Sequence, residues 1–205
     1  MTADIAFVAM MALWACAELA LVVWMRATAA DDSHRDRGTL RLVILAIAAA
    51  LGGGAWLSFA GIGAWPTAWL PVLRWIGAAA IALGLALRWS AIRTLRQYFT
   101  ITVAIRADHR LVDWGLYRYV RHPSYSGAIL GLVGLGLGSG GWLPGLVLTV
   151  PIVAAVIRRI QAEEMALAEG LGAEYAAWRA RTPSLVPRLF AQMPPNAPRN
   201  DDRHN

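Results

Sequence analysis

Five apolar runs, at approximately 5–25, 40–62, 69–88, 124–140 and 142–158, constrain this chain more than any motif in it. Crossing the ~30 Å hydrocarbon core of a bilayer takes ~20 predominantly apolar residues in a helix, the one local conformation that pairs its own backbone polar groups. The first three runs meet that length. The last two are shorter and separated by Gly140-Gly141, with Pro144 just beyond, so they read as a tight helical hairpin that need not reach across. Composition agrees, with 58% hydrophobic and 16% charged residues where a soluble domain carries roughly 45–50% and 25%. The expected fold is an all-α integral membrane protein of about five transmembrane helices with a C-terminal helical hairpin.

All 19 cationic residues are arginine, and 13 acids leave a net charge of +6. A nucleic-acid partner would need them gathered on a soluble face, but they lie between the apolar runs, so none is expected. They read as topology signals, because loops retained in the cytoplasm are enriched in arginine. One group is Arg26, Arg35, Arg37 and Arg41, between the first two runs. A second runs from Arg88 to Arg121, and a third follows residue 157; only Arg74 falls on the other side. This pattern predicts an outside N-terminus and a cytoplasmic C-terminus.

Residues 89–123 are too polar to span. Within them Thr100–Arg106 alternates like a short strand before a turn at Ala107-Asp108, which reads as an ordered cytoplasmic lid segment. Residues 159–181 keep helical character and end at Thr182-Pro183, so a cytosolic C-terminal helix continues the fifth span. The organisation expected is helices 1–3 in 1–90, a core in 91–190 and a disordered, functionally silent tail in 191–205. Asp4 precedes the first run with no cation before it, and despite a cleavage-site lookalike at Ala27-Thr28-Ala29 that run reads as an uncleaved span. Cys16 is the lone cysteine, which precludes an intrachain disulfide framework, and His34, His109, His122 and His204 lack ligand spacing, so no metal is expected.

The densest cluster of chemistry-bearing side chains is Tyr117, Arg118, Tyr119, Arg121, His122, Ser124 and Tyr125, where a polar segment enters span four. Pro123 suits the first turn of a helix, since the amide it lacks would be unpaired there, and places His122 at the helix start. Any one of these residues is as readily an interfacial anchor, as Trp65, Trp69, Trp89 and Trp142 near span ends are; their concentration points to a site. Gly127, Gly131, Gly134 and Gly138 share one helical face, which predicts a small-residue contact within the hairpin. Arg159 and Glu163 lie one turn apart, consistent with an ordinary i,i+4 pair or with an arginine that holds a carboxylate. Glu18, within span one, is either protonated or paired with a cation from another helix.

Taken together, His109-Arg110-Leu111-Val112, Gly115-x-Tyr117, Arg121-His122-Pro123-Ser124-Tyr125-x-Gly127, Arg159-x-x-x-Glu163-Glu164, Gly172-x-Glu174-Tyr175 and Arg181-x-Pro183-x-x-x-Pro187 resemble the isoprenylcysteine carboxyl methyltransferase family. The resemblance covers about 98–190 and fits a short, five-span, bacterial-type member; residues 1–90 match only in being apolar. It implies S-adenosylmethionine as methyl donor and a lipidic or prenylated carboxylate as acceptor, at the cytoplasmic membrane surface. It also implies a cofactor pocket of His109, Arg110, Leu111, Val112, Tyr117, His122, Pro123, Ser124, Tyr125 and Glu163. Arg159 is implied to hold the substrate, with Arg121 beside it as a second catalytic arginine.

Two other readings use related motifs. NADPH-dependent membrane reductases of the steroid or sterol type share the arginine-histidine-proline-x-tyrosine entry but carry asparagine and an acid where this chain has Ser124 and Ala128. Phospholipid N-methylation would leave Arg159 without a carboxylate to hold. A scaffold that keeps the fold without binding a nucleotide-like ligand is the non-enzymatic alternative.

Overall fold

A computed structural model describes residues 1–28, 39–95 and 111–187, with side chains described for 1–23, 41–95 and 111–187. Five helices account for most of it: α1 Thr2–Thr28, α2 Thr39–Phe59, α3 Leu70–Leu95, α4 Pro123–Gly138 and α5 Trp142–Arg181. Single 3₁₀ turns cover Thr67–Trp69 and Gly115–Arg118, and no strand occurs among the described residues. The five apolar runs therefore each form a helix, and the all-α membrane architecture expected from them is the one found. One boundary moves, since α3 continues past residue 88 to Leu95. The strand-like stretch 100–106 and its turn, and the tail beyond 187, lie outside the described residues.

Helices α1, α2, α3 and α5 are long and apolar enough to cross a membrane. With 16 residues, α4 is about 24 Å long, short of the ~30 Å core, as the hairpin reading requires. Before its break at Gly172, where φ is 54° and ψ is −125°, α5 is about 45 Å long, so its later turns stand outside the hydrocarbon. The sequence reading anticipates that extension and its end near Thr182, but not the break. A positive φ with strongly negative ψ is open to glycine and costly for any residue with a Cβ. The break re-aims the final turns so that Tyr175 and Trp178 are buried against Ala91, Val112 and Tyr117.

The glycine face of α4 corrects the expectation placed on it. Instead of facing α5 within the hairpin, it is the seam with α3 and α1. A Cβ on Gly84 of α3 would stand 2.5 Å from the Gly127 carbonyl oxygen and 2.8 Å from the Gly131 nitrogen, and one on Gly77 would stand 2.5 Å from the Gly134 oxygen. Only bare backbones can approach so closely, which is how helices associate where burial from water supplies no drive. From α1, the Phe7 ring lies over Gly138 and the Trp14 indole over Gly131. The hairpin contact itself is made by Gly136 and Gly145, on another face of α4. Apolar side chains fill the remaining spaces: Phe7, Ala78, Ile81, Leu85, Leu135 and Leu148 in one cluster, and Ala50, Leu132, Ile152, Val156 and Ile160 in a second.

The intramembrane acid has a partner. Glu18 Oε1 is 2.6 Å from Arg88 Nε, and Arg88 Nη2 donates to Glu18 Oε2 at 2.8 Å. Arg88, grouped by sequence with the cytoplasmic loop cations, is thus a helix residue paired across α1 and α3. An isolated charge at that depth is costly, and pairing is the usual solution.

Candidate functional site

The site is built around the first turn of α4. His122 caps the helix and Pro123 opens it, as the missing proline amide allows. The two residues before the proline are pinned by backbone bonds to the segment that follows α5: Arg121 N–H donates to Pro183 O at 2.8 Å and His122 N–H to Ser184 O at 2.9 Å. Ser126 Oγ adds a bond to Leu185 O at 2.6 Å. Residues about sixty apart in sequence are thereby held in one short, paired stretch.

Glu164 closes this arrangement from α5. Its Oε1 accepts from Arg121 Nε at 2.9 Å, from Arg121 Nη2 at 2.6 Å and from His122 Nε2 at 3.1 Å, while Arg179 lies 3.6 Å from Oε2. Burial opposes ionisation of Glu164, but the hydrogen bonds from His122 and Arg121 and the Arg121 charge outweigh it and hold the carboxyl at about 2. The remaining Arg121 nitrogen, Nη1, donates to the carbonyls of Arg179, at 3.1 Å, and Thr182. Arg121 is therefore committed to joining α4, α5 and the following segment.

On the neighbouring face of α5, Tyr125 forms a hydroxyl bridge. It accepts from Arg159 Nε at 3.0 Å and donates to Glu163 Oε2 at 3.0 Å. Arg159 is only 6% exposed, and Tyr125 packs, with Ile129 and Leu185, against the apolar cluster of Leu132, Ile152, Val156 and Ile160. Ser124, also buried, receives two bonds from Arg88 Nη1, to its Oγ at 3.1 Å and its carbonyl oxygen at 3.2 Å.

A neighbouring buried cluster consists of Val112, Tyr117, Tyr175 and Trp178, with Leu111 and Leu116 packed against it. Burial, with the Glu163 charge added, pushes the Tyr117 phenol above its ordinary range, and burial with the Glu164 charge pushes Tyr175 up to about 12. Both stay protonated at neutral pH. The Tyr175 hydroxyl and the Trp178 Nε1–H are buried and have no hydrogen-bond partner among the described residues. Each such orphan costs about 1–3 kcal/mol.

The structure thus gathers Leu111, Val112, Tyr117, Arg121, His122, Pro123, Ser124, Tyr125, Arg159 and Glu163 within and around one polar region between α4, α5 and the Gly115–Arg118 turn. His109 and Arg110 lie outside the described residues. Sequence reasoning missed the parts played by Glu164, Arg179 and Arg88. Glu164 is adjacent to Glu163, and the rotation of about 100° between neighbouring helix positions could have shown that the two carboxylates serve different partners.

In fold and in site, this is a polytopic helical membrane protein with a cluster of hydrogen-bonded polar side chains between its last two helices. Residues 75–169 match the model of the isoprenylcysteine carboxyl methyltransferase (ICMT) family, so the resemblance drawn from the motifs is borne out over that segment. Among the similar relatives is protein-S-isoprenylcysteine O-methyltransferase B of Arabidopsis thaliana, 36% identical over 113 residues that make up 54% of this chain and 57% of the relative. Another is the protein-S-isoprenylcysteine O-methyltransferase of Schizosaccharomyces pombe, 35% identical over 53% of this chain and 47% of the relative. A solved structure of a eukaryotic intramembrane Ras methyltransferase, isoprenylcysteine carboxyl methyltransferase, superposes with a TM-score of 0.53 at 25% identity, covering 68% of this chain and 51% of that one. The chain spans about half the length of the relatives it matches.

Proposed function

We propose that this protein is a membrane methyltransferase that transfers a methyl group from S-adenosylmethionine to a carboxylate on a lipidic acceptor of the isoprenylcysteine kind. The observation that carries the reading is the Tyr125 bridge. Methyl transfer from a cationic donor to an anionic acceptor needs a carboxylate facing the donor and a cation facing the acceptor, side by side. Glu163 and Arg159 meet that need, one hydroxyl apart, at 3.0 Å on either side.

The residues present fit the methyl donor. Leu111, Val112 and Tyr117 offer an apolar wall, and the Tyr175 hydroxyl and Trp178 indole N–H beside it are donors that bond nothing among the described residues. Bound, S-adenosylmethionine supplies an electrophilic methyl group on a sulfonium. Glu163 balances that positive charge. Arg159 orients the acceptor through its planar fork and, being charged at all working pH values, does not take its proton. No general base is required, because a carboxylic acid is already ionised at neutral pH. Positioning and exclusion of water carry the acceleration, and the apolar cluster around Tyr125 and Ile160 keeps water from the acceptor side. Arg121 and Glu164 hold this geometry from behind.

The arginine distribution supports a pocket and C-terminus on the cytoplasmic side and an N-terminus outside. A reductase reading is not favoured: Ser124 and Ala128 stand where those enzymes carry asparagine and an acid, and the relatives are named as O-methyltransferases. The test is calorimetric titration of the purified protein in detergent with S-adenosylhomocysteine and, separately, NADPH, on the wild type, Glu163→Ala and Arg159→Ala. Saturable S-adenosylhomocysteine binding that is lost in Glu163→Ala and kept in Arg159→Ala, with methyl transfer to a prenylcysteine lost in both, is the expected result. Binding of NADPH alone, or of neither, refutes the proposal.

A further inference from the structure

We infer that the first span is part of the working enzyme: Glu18, acting through Arg88, is a positioning residue for the first turn of α4. The inference rests on the methyltransferase reading above, but residue 18 lies outside the segment 75–169 that matches the family model. Three contacts run down one face of α1. Phe7 lies over Gly138, Trp14 over Gly131, and Glu18 reaches Ser124 through Arg88. Positions 7, 14 and 18 fall on one side of a helix, and their partners run backwards along α4, so the two helices lie antiparallel in register. Glu18 holds the end of that register at the site.

Arg88 is the joint. Its Nη2 donates to Glu18 Oε2 at 2.8 Å while its Nε lies 2.6 Å from Oε1 as a charge contact without hydrogen-bond geometry, and this leaves Nη1 for Ser124 Oγ and Ser124 O at 3.1 and 3.2 Å. A guanidinium has only a few accessible orientations once two of its nitrogens face one carboxylate, so Glu18 fixes where Nη1 points. Ser124 is flanked by Pro123 and Tyr125, and Tyr125 bridges Arg159 and Glu163. A rotation of this first turn therefore displaces the group that sets the spacing between donor and acceptor residues. An ion pair needed only for assembly would have no reason to bond the one residue between the helix-opening proline and the bridging tyrosine.

The test compares Glu18→Gln, Arg88→Lys and the exchanged pair Glu18→Arg with Arg88→Glu, in detergent or nanodiscs. Lysine keeps the charge opposite Glu18 and loses the fork. The exchanged pair restores opposite charges but puts an acceptor where Ser124 needs a donor. Expected in Arg88→Lys is a kcat lowered about 10- to 100-fold with S-adenosylhomocysteine affinity within about threefold of wild type. In the exchanged pair the melting temperature returns toward wild type while turnover stays low. Turnover that recovers together with stability, or single variants that keep wild-type kcat, overturns the positioning role.

Amide hydrogen exchange on the same proteins gives a reading independent of chemistry. Exchange across 122–128 should rise about tenfold in Arg88→Lys and stay unchanged across 146–156. Unchanged exchange at 122–128 overturns the inference as well. A wild type that transfers no methyl group refutes the functional reading alone, since the exchange measurement still decides this one.

Discussion

Replacing Gly84 by alanine isolates what the α3–α4 seam is worth. At an ordinary helix position this change stabilises by up to about 1 kcal/mol, because alanine restricts the backbone. At Gly84 the new Cβ would meet Gly127 O at 2.5 Å, Gly131 N at 2.8 Å and Gly131 Cα at 3.2 Å. All three are backbone atoms, so no side chain can turn aside and the helices must part by about 1 Å to restore a normal contact. A gap of that size forfeits a quarter to a half of each atom–atom well of ~0.15 kcal/mol; over on the order of forty pairs this is about 1.5–3 kcal/mol. Against a helix gain of up to about 1 kcal/mol, the net is a loss of about 0.5–3 kcal/mol, or about 1–12 °C in melting midpoint for a chain of this size. Gly52, with nothing within 4 Å of its notional Cβ, is the control, where the same substitution should be neutral or stabilising. The assay is a thermal melt of each variant in one detergent, with S-adenosylhomocysteine affinity measured alongside. Equal midpoints for the two variants would refute the reasoning, because they would mean that the backbones were not in contact.

Three further outcomes follow from the site. Tyr125→Phe removes the bridge between Arg159 and Glu163 and should lower turnover about 10- to 100-fold with a smaller effect on melting; wild-type turnover would show the hydroxyl to be idle. Glu164→Gln, which leaves Arg121 and His122 facing a neutral group, should cost about 3 kcal/mol at neutral pH. Because the folded-state value of Glu164 is depressed to about 2, its contribution is full above the ordinary carboxyl range and fades as pH falls from there toward 2. Melting midpoints of wild type and variant should then converge on acidification, and a constant offset would contradict the clamp. Gly172→Ala puts a Cβ on a backbone with φ of 54° and should destabilise by about 1–3 kcal/mol, readable by thermal melting; no loss would mean that α5 runs unbroken.

The helices were legible because a bilayer imposes length and polarity on every span, so five runs translate almost directly into α1 to α5. Span ends were less so. Arg88 reads as a loop cation since the sequence does not show that Glu18, seventy positions away, makes an arginine tolerable inside α3. The glycine face of α4 was visible as a stripe, but periodicity names a face and not its partner, and the matching Gly77 and Gly84 settle that only in three dimensions. At the site, Tyr125, Arg159 and Glu163 were marked by residue type and motif. Their arrangement around one hydroxyl depends on the hairpin bringing α4 and α5 side by side. The break at Gly172 leaves no trace in hydrophobic pattern, because the chain is helical on either side of it.

The pairing of Arg121 and His122 with Pro183 and Ser184 sets an order of events during synthesis. The α4 start and the Tyr125 side chain leave the ribosome long before their clasp exists, and at about 5–20 residues per second the segment ending at Leu185 follows some 3–13 s later. Throughout that interval the nascent chain can hold its spans in the bilayer while Arg121 and its carbonyl acceptors remain apart. The site is thus clasped only once Pro183, Ser184 and Leu185 have been made, and a chain stopped at residue 181 should insert normally yet never acquire that clasp.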